Sequence, residues 1–88
     1  MKITFDPAKN RINIRKHGID LSEVEGVFFD EFAHSMEDRD HAEARFVVLG
    51  TDGFGRLLVV AYAWRGEAEI RVISARRAEP HERRIYED

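Results

Sequence analysis

Hydrophobic spacing changes twice along this 88-residue chain, from helical to alternating and back. Lys2–Phe5 reads as a short first strand. Asp6 followed by Pro7 predicts a helix start, because aspartate caps free amides and proline fits the first helical position. The helix runs through Ala8 to about His17, and Gly18 supplies a left-handed cap. Ile12 and the stems of Lys9 and Lys16 share one face, with Ile14 beside it. A second helix is expected from Asp20 to about Asp30. Asp20 with Glu23 makes a capping-box-like start, and Leu21, Val24, Val27 and Phe28 recur at helical spacing.

The period then falls to two. Ala33–Glu37 predicts a shallow strand, and Asp38-Arg39-Asp40-His41 a turn or loop. Arg45–Thr51 (RFVVLGT) is a stronger strand, and Asp52-Gly53-Phe54-Gly55 is a hairpin connection. Leu57–Trp64 (LLVVAYAW) is apolar on both faces, which places it centrally in a sheet. Arg65-Gly66-Glu67 turns the chain into a strand over Glu69–Ala75. Pro80 opens a last helix reaching about Glu87, with Glu79 and Glu82 at its positive end. The predicted order is β-α-α-β-β-β-β-α in one domain, residues 1–88. Short connections imply an antiparallel β-sheet meander with helices on one face, an α+β class.

Composition agrees with a packed core: 43% of residues are apolar and none is cysteine. Neither disulfides nor zinc–thiolate sites are available, so the small core must hold unaided. No apolar run reaches membrane-spanning length, and the first residues lack a signal-peptide apolar region. A cytoplasmic protein with no membrane contact is expected. Net charge is −3, which by itself disfavours nucleic acid. The distribution argues the other way. Asp20–Asp40 holds eight acidic residues and one arginine, whereas Arg45–Arg77 holds six arginines and three acidic residues. Arginine presents a rigid fork of donors suited to phosphate. A solvated surface that prefers arginine is the plain alternative.

Several stretches together resemble a known family. They are the aromatic-Asp-Pro opening, the helix ending Arg-Lys-His-Gly, and the Arg-Phe strand entering Gly50. The Leu-Leu-Val-Val strand, Arg-Val-Ile-Ser-Ala-Arg-Arg-Ala and Glu-Arg-Arg-x-Tyr complete the pattern. The chain is similar to the BrnT toxins of bacterial type II toxin–antitoxin modules along nearly its whole length. Ile-Ser-Ala-Arg, with Glu82 and Tyr86, is the most specific part. The resemblance implies a RelE-like fold and a small ribonuclease that arrests growth by cutting RNA. It also implies silencing by a BrnA-like antitoxin, through which alone operator DNA would be contacted. Glu79-Pro80 stands where a hydroxyl cap is expected.

Metal-free RNA cleavage needs a base for the 2′-hydroxyl, cations for the phosphorane and an acid for the leaving oxygen. Arg71 and Arg76 lead for the phosphate. Strict alternation puts Arg71 with Ile73 and Ala75 on one face, and Ile70, Val72, Ser74 and Arg76 on the other. The two arginines then share a cleft only if a bulge intervenes. Ser74 either donates to phosphate or satisfies backbone. Arg45 and Arg65 sit at strand ends, where turns attract arginines anyway, and Arg77 adds charge at the last corner. Tyr62 and Trp64 alternate together, as core fillers or as a stacking surface for bases. His17, beside Lys16 on the last helical turn, fits an acid or a simple cap. Glu82 and Tyr86 share a helix face and could orient an arginine or move a proton. A plain Glu82–Arg77 surface pair is the alternative.

His17, His34, His41 and His81 lack metal-ligand spacing, and no phosphate-cradling glycine loop is present, so neither metal nor cofactor is expected. The acidic Asp20–Asp40 region is a possible contact for a basic segment of a partner. A non-catalytic RNA- or protein-binding module of the same fold competes with the enzyme.

Overall fold

The computed structural model describes residues 1–39 and 44–88. Asp40 and His41 of the expected loop lie outside the described residues. Five strands form one sheet: β1 (Lys2–Phe5), β2 (His34–Asp38), β3 (Arg45–Thr51), β4 (Leu57–Arg65) and β5 (Glu69–Arg77). Their order across the sheet is β1-β5-β4-β3-β2, with β4 central as its apolar faces predict. The β2–β5 meander is antiparallel, but β1 pairs parallel with β5, from Lys2 against Glu69 to Phe5 against Val72. The sheet is therefore mixed, not purely antiparallel. A strand whose partner lies at the far end of the sequence leaves no signature in local spacing.

The first helix, α1 (Pro7–His17), has the predicted ends. Asp6 Oδ1 accepts the Ala8 amide at 2.8 Å, and Gly18, at φ 71°, donates to the Ile14 carbonyl at 2.8 Å. Its one buried residue is polar: Asn13 is 5% exposed, while Ile12 is 57% exposed. β1 ends opposite Val72, and α1 takes over the flank of β5 beyond it. Asn13 donates to the Ala75 carbonyl at 3.0 Å and accepts the Ala75 amide at 3.1 Å. It also donates to the Ile19 carbonyl at 2.8 Å. The carboxamide thus makes the pair of bonds that a neighbouring strand would make.

The expected second helix is two 3₁₀ turns, Leu21–Glu23 and Glu25–Phe29. Leu21, Val24 and Val27 are all buried. Spacing by three fits a 3₁₀ helix, in which positions three apart eclipse, better than an α-helix. Gly26 marks a second constraint. A Cβ there would stand 2.5 Å from the Gly53 amide nitrogen, so this segment presses backbone to backbone on the β3–β4 connection. Ile19, Leu21, Val24 and Val27 pack on Val48, Leu58, Val60, Tyr62, Ile70, Val72 and Ala75 of the sheet. Each fully buried aliphatic side chain contributes about 1.5–3 kcal/mol.

The last helix, α2 (Pro80–Glu87), lies over the opposite side of the sheet from this core. Its Glu82 meets Arg76, and its Tyr86 meets Thr51. The helical segments consequently do not share one face. The 3₁₀ turns cover one side, α1 flanks β5, and α2 covers part of the other side.

Candidate functional site

β5 carries one extra residue against β4. Ala61 pairs with Ser74 and Tyr62 pairs with Val72, which leaves Ile73 unpaired as a bulge. This overturns strict alternation along β5. Ala75, expected beside Arg71, is buried in the core, while Ser74 and Arg76 join Arg71 on the open face. Arg71 is opposite Ala63, Ser74 opposite Ala61, and Arg76 opposite Val59. Two arginines five residues apart would otherwise point to opposite sides.

Among the described residues, three of the clefts on this face adjoin one another along β5. The first is bordered by Arg65, Arg71 and Lys9, with Ala63 and Ile73. The second lies under α1, between Lys9, Ile12, Lys16 and His17 and the bulge residues Ile73 and Ser74. The third has Val47, Val59 and Ala61 as its floor, with His17 and Ser74 on one side and Arg76 and Glu82 on the other. Lys9 and Ile73 are common to the first two, and His17 and Ser74 to the last two, so the clefts form one track. Among the described residues, six basic side chains border it, against the carboxylates of Asp6 and Glu82.

Arg71 is half-buried, and its Nε has no hydrogen-bond partner among the described residues. A buried donor left unpaired costs roughly 1–3 kcal/mol, which an anion in the cleft would relieve. Arg76 is already engaged. Its Nη1 and Nη2 donate to Glu82 Oε1 and Oε2, both at 2.8 Å. Glu82 thus pairs with Arg76 rather than Arg77. Hydrogen bonding from Arg76 is the main reason that the Glu82 carboxyl is lowered from 4.5 to about 2. The same bond raises the Arg76 guanidinium further. Glu82 Oε1 also accepts the Glu79 amide at 2.8 Å, so one carboxylate secures the start of α2 without a hydroxyl cap.

The other predicted residues divide. Arg45 follows the open-face alternation of β3, paired with Asp38 in register. Trp64 follows Tyr62 towards the core side of β4, yet it borders the Arg65–Arg71 cleft and is 45% exposed. Tyr62 is a core residue: its ring packs edge-on to Phe28, and its hydroxyl hydrogen-bonds Ser35 at 2.8 Å. Arg77 is exposed and pairs with Leu58, off the open face. Tyr86 does not reach the clefts. It donates to Asp30 at 2.6 Å and accepts from Thr51 at 3.1 Å, and the bond to Asp30 raises its hydroxyl above the ordinary value. Burial pushes the Asp30 carboxyl up, but bonds from the Thr51 amide, Tyr86 and the Phe32 amide outweigh it and leave it lowered.

Sequence reasoning missed Lys9 as a border of two clefts. Its spacing of seven from Lys16, two helical turns, carried that signal. It also missed Asn13, for which periodicity gives no sign.

A small α+β domain with a mixed five-stranded sheet among the described residues, and a basic, partly apolar cleft track along its open face, is the class that these observations define. The family model of the ribonuclease toxin BrnT of type II toxin–antitoxin systems matches residues 5–82, and the chain belongs to this family. It is also similar to the Brucella abortus ribonuclease toxin BrnT, known from a 1.1 Å crystal structure. That match has a TM-score of 0.71 at 28% identity, covering 90% of this chain and 97% of the Brucella chain. No match is found among the curated proteins.

Proposed function

We propose that this chain is a metal-independent endoribonuclease toxin that arrests bacterial growth and is neutralised by a BrnA-like, DNA-binding antitoxin. The observation that carries this is the Ile73 bulge, which gathers Arg71, Ser74 and Arg76 on one face beside Lys16 and His17. RNA lies along the track. Arg71 holds the scissile phosphate, and Arg76 joins it as charge builds on the phosphorane. Ser74 donates to a phosphate oxygen, and Lys9, Lys16 and Arg65 grip flanking phosphates. Arg45 and Trp64 extend the binding surface, and Arg77 adds charge at its margin. The 2′-hydroxyl gives its proton to solvent water as its oxygen bonds to phosphorus, and His17 protonates the 5′-oxygen as the P–O5′ bond breaks, leaving a 2′,3′-cyclic phosphate and a 5′-hydroxyl. Glu82 is a positioning residue, since a carboxylate held at about 2 is a poor base and its two oxygens aim Arg76. Tyr86 acts at one remove by tying α2 to Asp30. The kinship we assign is RelE-like, supported by a four-stranded antiparallel meander flanked by helices from both ends of the chain.

The test is purified, partner-free protein incubated with RNA in EDTA. The parent chain produces fragments. Arg71→Ala and Arg76→Ala each slow cleavage by about 10²–10³-fold with the fold intact by circular dichroism. RNA retention without fragments would establish the non-catalytic binding module instead.

A further inference from the structure

The acidic side of the molecule carries a feature that the cleavage site does not use. Phe29, Phe32 and Phe54 are 70%, 67% and 69% exposed. Phe29 and Phe54 border one cleft together with Glu23 and Glu25, across the contact where Gly26 presses on Gly53. The Asp30 side chain accepts the Phe32 amide at 3.0 Å, which fixes the turn carrying Phe32 and the exposed Glu31. Two exposed aromatic side chains bordering one cleft, as Phe29 and Phe54 do, are characteristic of an interface rather than of a solvated surface. The chain also shows which group this surface accepts. The Arg56 guanidinium lies 5.3 Å from the Phe54 ring centroid and 3.7 Å from Glu23, with Asp52 holding its Nε at 2.7 Å. Cations are accepted there by an aromatic face and a carboxylate together.

We propose that this surface docks a cationic amphipathic segment of the antitoxin, apolar residues seating on Phe29 and Phe54 while lysines or arginines reach Glu25 and Glu31. The proposal rests on the toxin reading and specifies where the neutralising partner anchors. The charge excludes nucleic acid and anionic lipid, which the carboxylates repel. A second copy offers a basic helix in α1, with Arg11, Arg15 and Lys16 beside exposed Ile12 and Ile14. That contact would be head-to-tail, so it predicts rings or filaments of the chain itself rather than a complex with the antitoxin.

The experiment uses the full chain and the antitoxin encoded with it. Binding is titrated, and RNA cleavage by the antitoxin-free chain is measured in parallel. Phe29→Ser/Phe54→Ser and, separately, Glu25→Lys/Glu31→Lys are each expected to weaken antitoxin binding at least tenfold. Both variants keep the parental cleavage rate, and added salt weakens parental binding. The charge-reversal pair replaces only exposed groups, so the test survives a folding defect in the phenylalanine pair. Parental affinity in the charge-reversal variant overturns the docking surface. So does concentration-dependent self-association of the parent by light scattering that the substitutions abolish. A parent that binds the antitoxin through this surface yet cuts no RNA leaves the docking intact and removes the ribonuclease reading.

Discussion

At the scale of single residues, two side chains concentrate the consequences. Glu82 joins the start of α2 to the open face of the sheet through three short bonds. Its carboxyl is at about 2 when folded against 4.5 for a free glutamate. The unfolded chain therefore takes up the proton first as pH falls. The stabilisation from Glu82 is full above about pH 4.5 and disappears as pH drops towards 2, amounting to about 1–2 kcal/mol after allowance for solvent screening. Denaturant titrations across pH 2–6 should show Glu82→Gln losing less stability over this window than the parent. Some acid sensitivity remains in the variant, because Asp20, Asp30 and Asp52 are also lowered. Asn13 is the second. Asn13→Ala strips partners from the Ala75 amide and from two carbonyls at a buried position. A loss of about 2–4 kcal/mol is expected in urea unfolding.

At the scale of elements, sequence legibility followed the range of the forces involved. The limits of α1 were readable because its caps are local, Asp6 and Pro7 at one end and Gly18 at the other. The strands of the meander were readable from their alternation, to within a residue or two at their ends. The bulge was not, since Ile73 looks like any other apolar strand residue until β4 sets the register. Arg71 stands out within an apolar strand and Arg76 at its end, but whether they share a face depends on that one unpaired position. The segment from Asp20 to Asp30 misled because Leu21, Val24 and Val27 suit either helix type. Gly26 adds a packing constraint that local spacing does not reveal, its backbone lying against Gly53. Gly26→Ala forces those backbones apart and should cost about 1–3 kcal/mol, with a lower thermal midpoint as the readout.

At the scale of the whole molecule, opposite charges are sorted to different parts of the surface. The basic track runs along the open face of the sheet beside α2, and the carboxylates of Glu23, Glu25 and Glu31 gather by the 3₁₀ turns. A net charge of −3 is therefore compatible with local attraction for RNA. RNA affinity should fall with salt along a log–log line. Arg65→Ala should make that line shallower by about 0.7, the loss of one phosphate contact to a single strand. The flank of β5 beyond Val72 has a different consequence for the cell. An unprotected strand margin recruits strands from other chains, and a toxin accumulating beside its partner would be exposed to that hazard. The Asn13 carboxamide occupies those peptide groups with a side chain that cannot propagate a ladder. A larger fraction of Asn13→Ala than of the parent should therefore collect in inclusion bodies on expression, the remainder staying in the supernatant.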